Sequence, residues 1–100
     1  MGMELSNIPE KYQDDIKKAT ILLKKEGCKD VFLFGSMVTG RIHQNSDIDI
    51  GITGLPPKKF FSVYAYLDRE LSNRLDLVDF DLCKDFYVLL DSLGEVIELG

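Results

Sequence analysis

Apolar side chains recur along the chain with two different periods, which predicts a mixture of helices and strands. Between Pro9 and Gly27 they recur every three or four positions, as expected for a helix with one buried face. The predicted buried stripe consists of Tyr12, Ile16, Ala19 and Leu22 or Leu23. Asp15 and the lysines of this segment lie mainly off the stripe, so we expect them on the solvated face of the helix.

Four shorter segments have the patterns of strands. Val31–Phe34 is wholly apolar, which favours a strand covered on both faces. Asp47–Ile52 alternates strictly, so that three isoleucines share one face and two aspartates share the other. Leu75–Phe80 and Val96–Leu99 complete the set of predicted strands.

The remaining segments connect these strands. Residues 35–46 are rich in small and polar side chains and predict a turn, one helical turn at most, and a loop. Apolar positions spaced by three or four predict helices over residues 58–72 and 86–93, the second closed by Gly94. The order αβ(turn)βαβαβ indicates an α/β or α+β fold, in which helices flank a small mixed sheet.

Length and composition limit the possible functions. A chain of 100 residues, 45% hydrophobic and 29% charged, is expected to form one compact soluble domain over residues 1–100 with an open catalytic face. Its net charge of -5 argues against strong non-specific binding to nucleic acid and against anionic membranes. No apolar run approaches the roughly 20 residues of a spanning helix. Cys28 and Cys83 fit no disulfide or metal spacing, which indicates a reducing, cytoplasmic location.

Candidate chemistry begins with Asp47 and Asp49, because residues i and i+2 of a strand project from the same face. Alone, such a pair can simply face water. Two carboxylates about 4 Å apart would repel each other by about 4 kcal/mol at an effective dielectric constant near 20, and a divalent cation reverses that repulsion. Oxygen ligands favour Mg²⁺ or Mn²⁺.

A second feature is the dipeptide Gly35-Ser36, which directly follows the first predicted strand. Small residues are ordinary turn formers, but a helical turn starting near Ser36 would offer backbone N–H groups and a hydroxyl to phosphate oxygens. Gly35 and Gly40 have the glycine spacing of a P-loop. Arg41 and Ile42 then stand where that motif requires Lys and Ser or Thr, so a P-loop is excluded.

Together these residues resemble the hallmark of the minimal nucleotidyltransferases, small members of the DNA polymerase β superfamily. The pattern is Gly35-Ser36, ten intervening residues, Asp47-Ile48-Asp49, and Asp76 in a later apolar strand. The resemblance implies a mixed sheet flanked by helices and nucleotidyl transfer with two divalent ions. It further implies that Gly35 and Ser36 hold the β and γ phosphates of the nucleotide. Asp47, Asp49 and Asp76 would bind two Mg²⁺ ions, with Mn²⁺ as the alternative.

Some assignments stay open on the sequence alone. Asp79 is the rival of Asp76 for the third carboxylate, but three residues apart they face opposite sides of a strand, so both cannot serve one site. Met37 stands where relatives often carry Arg. Arg41 is either the cation that replaces it, as a nucleotide-binding residue, or an exposed loop residue. His43 is either a loop residue or a phosphate contact.

The resemblance also implies a function. The leading hypothesis is a Mg²⁺-dependent nucleotidyltransferase that transfers a nucleoside monophosphate, AMP from ATP, to a protein acceptor. In this family the acceptor is often a HEPN-type helical toxin, which makes the nucleotidyltransferase its antitoxin. The alternative is a non-catalytic binding module that neutralises or scaffolds a partner protein by contact.

Overall fold

The helices and strands occur in the predicted order. The computed structural model describes residues 8–42 and 46–100. The elements are α1 (Glu10–Lys25), β1 (Asp30–Phe34), α2 (Ser36–Thr39), β2 (Ile48–Thr53), α3 (Phe60–Glu70), β3 (Leu75–Asp79), α4 (Lys84–Ser92) and β4 (Val96–Glu98). A 3-10 turn over Pro57–Lys59 leads into α3. The single helical turn expected after β1 is α2, whereas Asp47 lies one residue before β2 rather than inside it.

The four strands form one mixed sheet, as the sequence predicts, and their order in the sheet is β3-β2-β1-β4. β1 is antiparallel to both β2 and β4, and β2 is parallel to β3. The parallel pair is joined by a crossover that includes α3, as parallel neighbours require. In this register Asp49 pairs with Phe34 of β1 on one side and with Asp76 of β3 on the other.

One face of the sheet carries the main core, against α1 and α3. The three isoleucines of β2 are fully buried there, as their alternation predicts. The predicted stripe of α1 is also buried, with Leu23 rather than Leu22 as its last fully covered member. The core cluster also includes Val31, Leu33, Val63, Leu67, Leu75 and Leu77.

The opposite face is covered over only part of its length. α4 packs there on a second cluster formed by Phe32, Phe34, Phe80 and Leu90. Gly51 makes this packing possible, because a Cβ atom at that position would overlap the Phe80 ring. Phe86 and Tyr87 of α4 also contact the rings of this cluster, whereas Val88 and Leu89 are more than half exposed. The aspartates of β2 and β3 lie on the same face at the edge of this cluster, where Phe34 is the register partner of Asp49.

The expectation that Asp15 lies on the solvated face of α1 is wrong. Asp15 is buried, and its carboxylate accepts hydrogen bonds from the backbone N–H groups of Ser72 and Asn73, at 3.1 and 2.7 Å. The Asn73 side-chain amide donates a third, at 2.9 Å. These donors belong to the loop before β3, so Asp15 fixes where that strand begins. Periodicity assigned Asp15 to water because these partners are distant in sequence.

Other expectations have simpler outcomes. Both cysteines are free; Cys28 is buried, whereas Cys83 is exposed. Within residues 8–42 and 46–100, no helix has the length and apolar character needed to cross a membrane. His43, a residue considered for phosphate contact, lies outside the described residues.

Candidate active site

Three carboxylates lie on one sheet face where β2 and β3 begin. Asp49 and Asp76 are direct partners in the parallel ladder, so their side chains project side by side. Asp47 precedes Asp49 by two residues and lies next to the start of β3, with 43% of its side chain exposed. Asp76 is also exposed, so the group can be reached from solvent.

The electrostatics of Asp49 reflect this crowding. Burial first, and then the negative charges of Asp76 and Asp47, raise the pKa of Asp49 from 3.8 to about 6. Part of the burial comes from β1, where the buried ring of Phe34 is the register partner of Asp49. The ionised carboxylate is therefore unfavourable in the protein alone, and a bound cation would relieve the repulsion.

Gly35 brings the bend after β1 into contact with Asp49. Its backbone has φ 75° and ψ -150°, a conformation that residues with a side chain rarely adopt. A Cβ atom at Gly35 would overlap the Asp49 carboxylate, whose carboxyl carbon would be only 2.9 Å away. Ser36 follows at once and begins α2, in which the N–H groups of Val38 and Thr39 donate to the carbonyl oxygen of Gly35. Gly35 and Ser36 thus border the acidic face directly.

The other acidic residues at and after the end of β3 point elsewhere. Asp79 pairs with Ile52 in the ladder and lies on the opposite sheet face from Asp49, buried, where its Oδ1 accepts a hydrogen bond from the backbone of Asp81. Asp81, which follows β3, accepts a hydrogen bond from the Gly54 N–H at 2.7 Å. The structure therefore groups Asp76, and not Asp79, with the other two carboxylates.

The two positions considered for a nucleotide-binding cation are those of Met37 and Arg41. Met37 is fully buried, so its side chain supplies neither charge nor hydrogen-bond donor to a nucleotide. Arg41 is exposed beyond α2 and forms no salt bridge within residues 8–42 and 46–100. Its charge is not among those that shift the pKa of Asp49. The structure does not bring Arg41 to the carboxylates.

Sequence reasoning missed Arg74 beside the site, and it favoured a core or surface role over base stacking for Tyr64. Arg74 precedes β3, and its Nε lies 3.9 Å from Oδ1 of Asp47. Tyr64 of α3 donates its hydroxyl to the Leu75 carbonyl oxygen at 2.9 Å. Burial and then the charge of Asp76 raise the pKa of Tyr64 above its ordinary value. Arg74 and Asp76 are two residues apart, as Asp47 and Asp49 are, but that spacing brings Arg74 to Asp47 only in the register of the parallel pair.

The donor set fits a hard divalent cation in one respect and falls short in another. Carboxylate oxygens are the ligands that Mg²⁺ prefers, and the crowding around Asp49 favours a bound cation. As the side chains stand, no three acidic, histidine or cysteine side chains in the described parts of the chain form a group that could hold a metal ion. Mg²⁺ usually binds one or two carboxylates and takes its other ligands from waters and substrate phosphates, so the residues fit a metal that arrives with a nucleotide.

The fold and this site together define a nucleotidyltransferase of the polymerase β type. Residues 14–93 match the family described as "Polymerase beta, Nucleotidyltransferase". The chain belongs to this family, and the resemblance inferred from its motifs is confirmed. No curated protein sequence matches the chain.

Solved structures place the chain near toxin–antitoxin proteins. A toxin–antitoxin structure with AMP-PNP is 26% identical, with a TM-score of 0.62, over 88% of this chain and 72% of that chain. A structure of the tri-AMPylated Shewanella oneidensis HEPN toxin in complex with MNT antitoxin contains a chain that is 26% identical, with a TM-score of 0.50, over 69% of this chain and 56% of that chain. The toxin–antitoxin MntA-HepT, at 23% identity and a TM-score of 0.60 over 88% and 71%, shows the shared fold alone.

Proposed function

We propose that this protein transfers AMP from ATP to a protein acceptor, and that the acceptor is a HEPN-type toxin for which the chain is the antitoxin. The observation that carries the proposal is the pairing of Asp49 with Asp76 beside Gly35, with Asp47 on the same face. The similarity to an MNT antitoxin bound to a tri-AMPylated HEPN toxin supports the choice of AMP and of the partner.

Different residues of the site bind different parts of the metal–nucleotide. Gly35 and Ser36 hold the β and γ phosphates, because the bend exposes backbone where no side chain intervenes. Asp47, Asp49 and Asp76 would hold two Mg²⁺ ions, or Mn²⁺, together with phosphate oxygens. When bound, the ions would neutralise the charge that develops on the α-phosphate and on the leaving group.

The transfer is a single displacement. The hydroxyl oxygen of the acceptor forms a bond to the α-phosphorus, and the bond from that phosphorus to the bridging oxygen of the β-phosphate breaks. Pyrophosphate leaves with the electron pair. Asp76, exposed at the edge of the site, takes up the hydroxyl proton and passes it to solvent.

The position of the site suits a protein acceptor. Asp47 and Asp76 are accessible on the sheet face that α4 leaves uncovered, so a side chain of a folded partner can approach without a deep pocket. We expect the reaction to occur in the cytoplasm, which contains ATP and keeps free cysteines such as Cys28 and Cys83 reduced.

A label-transfer assay tests the proposal. Purified protein is incubated with Mg²⁺, α-labelled ATP and the HEPN-type partner that copurifies with it or is encoded nearby. We expect label on the partner with the wild type and none with the double variant Asp47→Asn, Asp49→Asn. The matched control changes Asp14 and Asp68, two exposed carboxylates on α1 and α3, and should retain transfer. Unlabelled partner despite demonstrated binding to the wild type would refute the proposal.

A second candidate function is neutralisation by contact alone. It is favoured by Phe61 and Leu82, which are 80% and 72% exposed and line an apolar groove of about 410 Å³ beside β3. Large exposed apolar side chains in one place are typical of protein-binding surfaces. If contact alone neutralises the partner, the Asp47→Asn, Asp49→Asn double variant will still suppress the activity of the partner. If catalysis is required, the double variant will no longer suppress it.

A further inference from the structure

A cation stands opposite one of the site carboxylates, across the start of the parallel strand pair. Asp49 pairs with Asp76 in the ladder, whose first pair is Ile48 and Leu75; Asp47 and Arg74 directly precede those two residues. Asp49 and Asp76 therefore project from one sheet face, and Asp47 and Arg74 flank them at its end. At this end of the face three carboxylates lie near one positive charge, that of Arg74, whose Nε is 3.9 Å from Oδ1 of Asp47.

The backbone of Arg74 is held firmly while its side chain is not. Its carbonyl oxygen accepts a hydrogen bond from the Ile48 N–H at 2.9 Å. The preceding residue, Asn73, is fixed by the buried carboxylate of Asp15. The Arg74 side chain is nevertheless 88% exposed, and its ion pair among the described residues is with Asp47. A long side chain on a fixed base can thus change partner without any movement of the fold.

The present pairing is weak and easily exchanged. Exposed ion pairs contribute little to stability, because solvent screens the charges and ordering the two side chains costs entropy. A divalent ion at Asp47 would repel the guanidinium and take its place. The planar, permanently charged guanidinium matches two oxygens of a phosphate better than a lysine would. Met37 is buried, and Arg41 forms no salt bridge with the described residues. Among those residues, Arg74 is therefore the cation that contacts the acidic group.

We propose that Arg74 is a nucleotide-binding residue that pairs with Asp47 in the metal-free protein and with phosphate oxygens of ATP once a divalent ion occupies the carboxylates. The inference rests on the proposed function and adds a residue to it. Its distinctive consequence is that Arg74 opposes binding of the metal alone and promotes binding of the metal–nucleotide.

Two binding measurements on the full chain test this, neither of which depends on turnover. Mn²⁺ alone is titrated by electron paramagnetic resonance, and ATP at saturating Mg²⁺ is titrated by calorimetry. We expect Arg74→Gln to bind Mn²⁺ about two- to fivefold more tightly, since a competing cation is removed. The same variant should bind ATP about tenfold more weakly, since a charge-assisted contact to phosphate is lost.

Two further variants separate this role from net charge. Arg74→Lys keeps the charge and should restore part of both effects, whereas Arg69→Gln, an exposed arginine in the last turn of α3, should change neither. Unchanged ATP affinity or weaker Mn²⁺ binding in Arg74→Gln would overturn the inference, as would equal effects of Arg69→Gln. A wild type that binds no ATP would overturn the proposed function as well, whereas normal wild-type binding confines the failure to Arg74.

Discussion

Replacing Asp49 with asparagine is expected to stabilise the protein in the absence of divalent ions. The ionised carboxylate is disfavoured by burial and by the charges of Asp76 and Asp47, which raise its pKa from 3.8 to about 6. Between these two pH values the folded protein binds the proton more tightly than the unfolded chain does. The free energy of unfolding of the wild type should therefore fall as the pH rises from about 4 to about 6 and stay low above that.

The size of the expected stabilisation follows from the pKa shift of Asp49. One pKa unit corresponds to about 1.36 kcal/mol, so a rise from 3.8 to about 6 gives an upper limit of about 3 kcal/mol at neutral pH. Solvent around a partly exposed carboxylate reduces this to about 1–2 kcal/mol. For a domain of this size, that predicts a melting temperature about 5–15 °C higher in Asp49→Asn than in the wild type.

Thermal unfolding followed by circular dichroism, in a metal chelator at pH 4 to 8, measures both the size and the pH dependence. Asp14→Asn, an exposed carboxylate change on α1, is the matched control and should leave the wild-type curve unchanged. The difference between Asp49→Asn and the wild type should be small at pH 4 and largest above pH 6. A variant that is no more stable than the wild type at pH 7, or a difference that does not vary with pH, would refute the reasoning.

Other predictions concern the bend, the metal and the buried carboxylate. Gly35→Ala should lower the free energy of unfolding by more than the roughly 1–3 kcal/mol that positive φ alone costs, because its Cβ overlaps the Asp49 carboxylate. Gly40→Ala, also at positive φ but with nothing within 4 Å, is the control in urea unfolding, and equal losses would contradict the clash. Mg²⁺ should raise the melting temperature of the wild type but not of Asp49→Asn; a matching rise in the variant would place the ion elsewhere. Asp15→Ala should cost about 2–4 kcal/mol, since buried donors lose a charged acceptor, against less than about 0.5 for Asp14→Ala; similar losses would show that the Asp15 hydrogen bonds are unimportant.

Local pattern was enough to predict the elements and one side of the site. The alternation of Asp47–Ile52 separates the buried isoleucines from the aspartates because the period of a strand is two. A glycine directly after an apolar strand predicted a bend, and the structure gives Gly35 the positive φ that such a bend uses. These inferences involve residues close together in the chain.

Contacts between distant segments could not be predicted in the same way. The register that sets Asp76 beside Asp49 depends on the crossover through α3, which no local pattern specifies. The pattern of α1 alone predicts Asp15 at the surface, whereas in the fold the loop at Asn73 covers it. Arg74 looks like an ordinary residue before a strand, and only the parallel pairing reveals that it faces Asp47.

The central claim is that the acidic face beside Gly35 binds a metal–nucleotide. Nuclear magnetic resonance with Mn²⁺–ATP tests it directly, because the paramagnetic ion broadens the signals of nearby nuclei. We predict that substoichiometric Mn²⁺–ATP broadens the backbone amide signals of Gly35, Asp49 and Asp76 first. Broadening centred instead on the other acidic stretch, Asp81 to Asp85 at the start of α4, or an unchanged spectrum, would contradict the account.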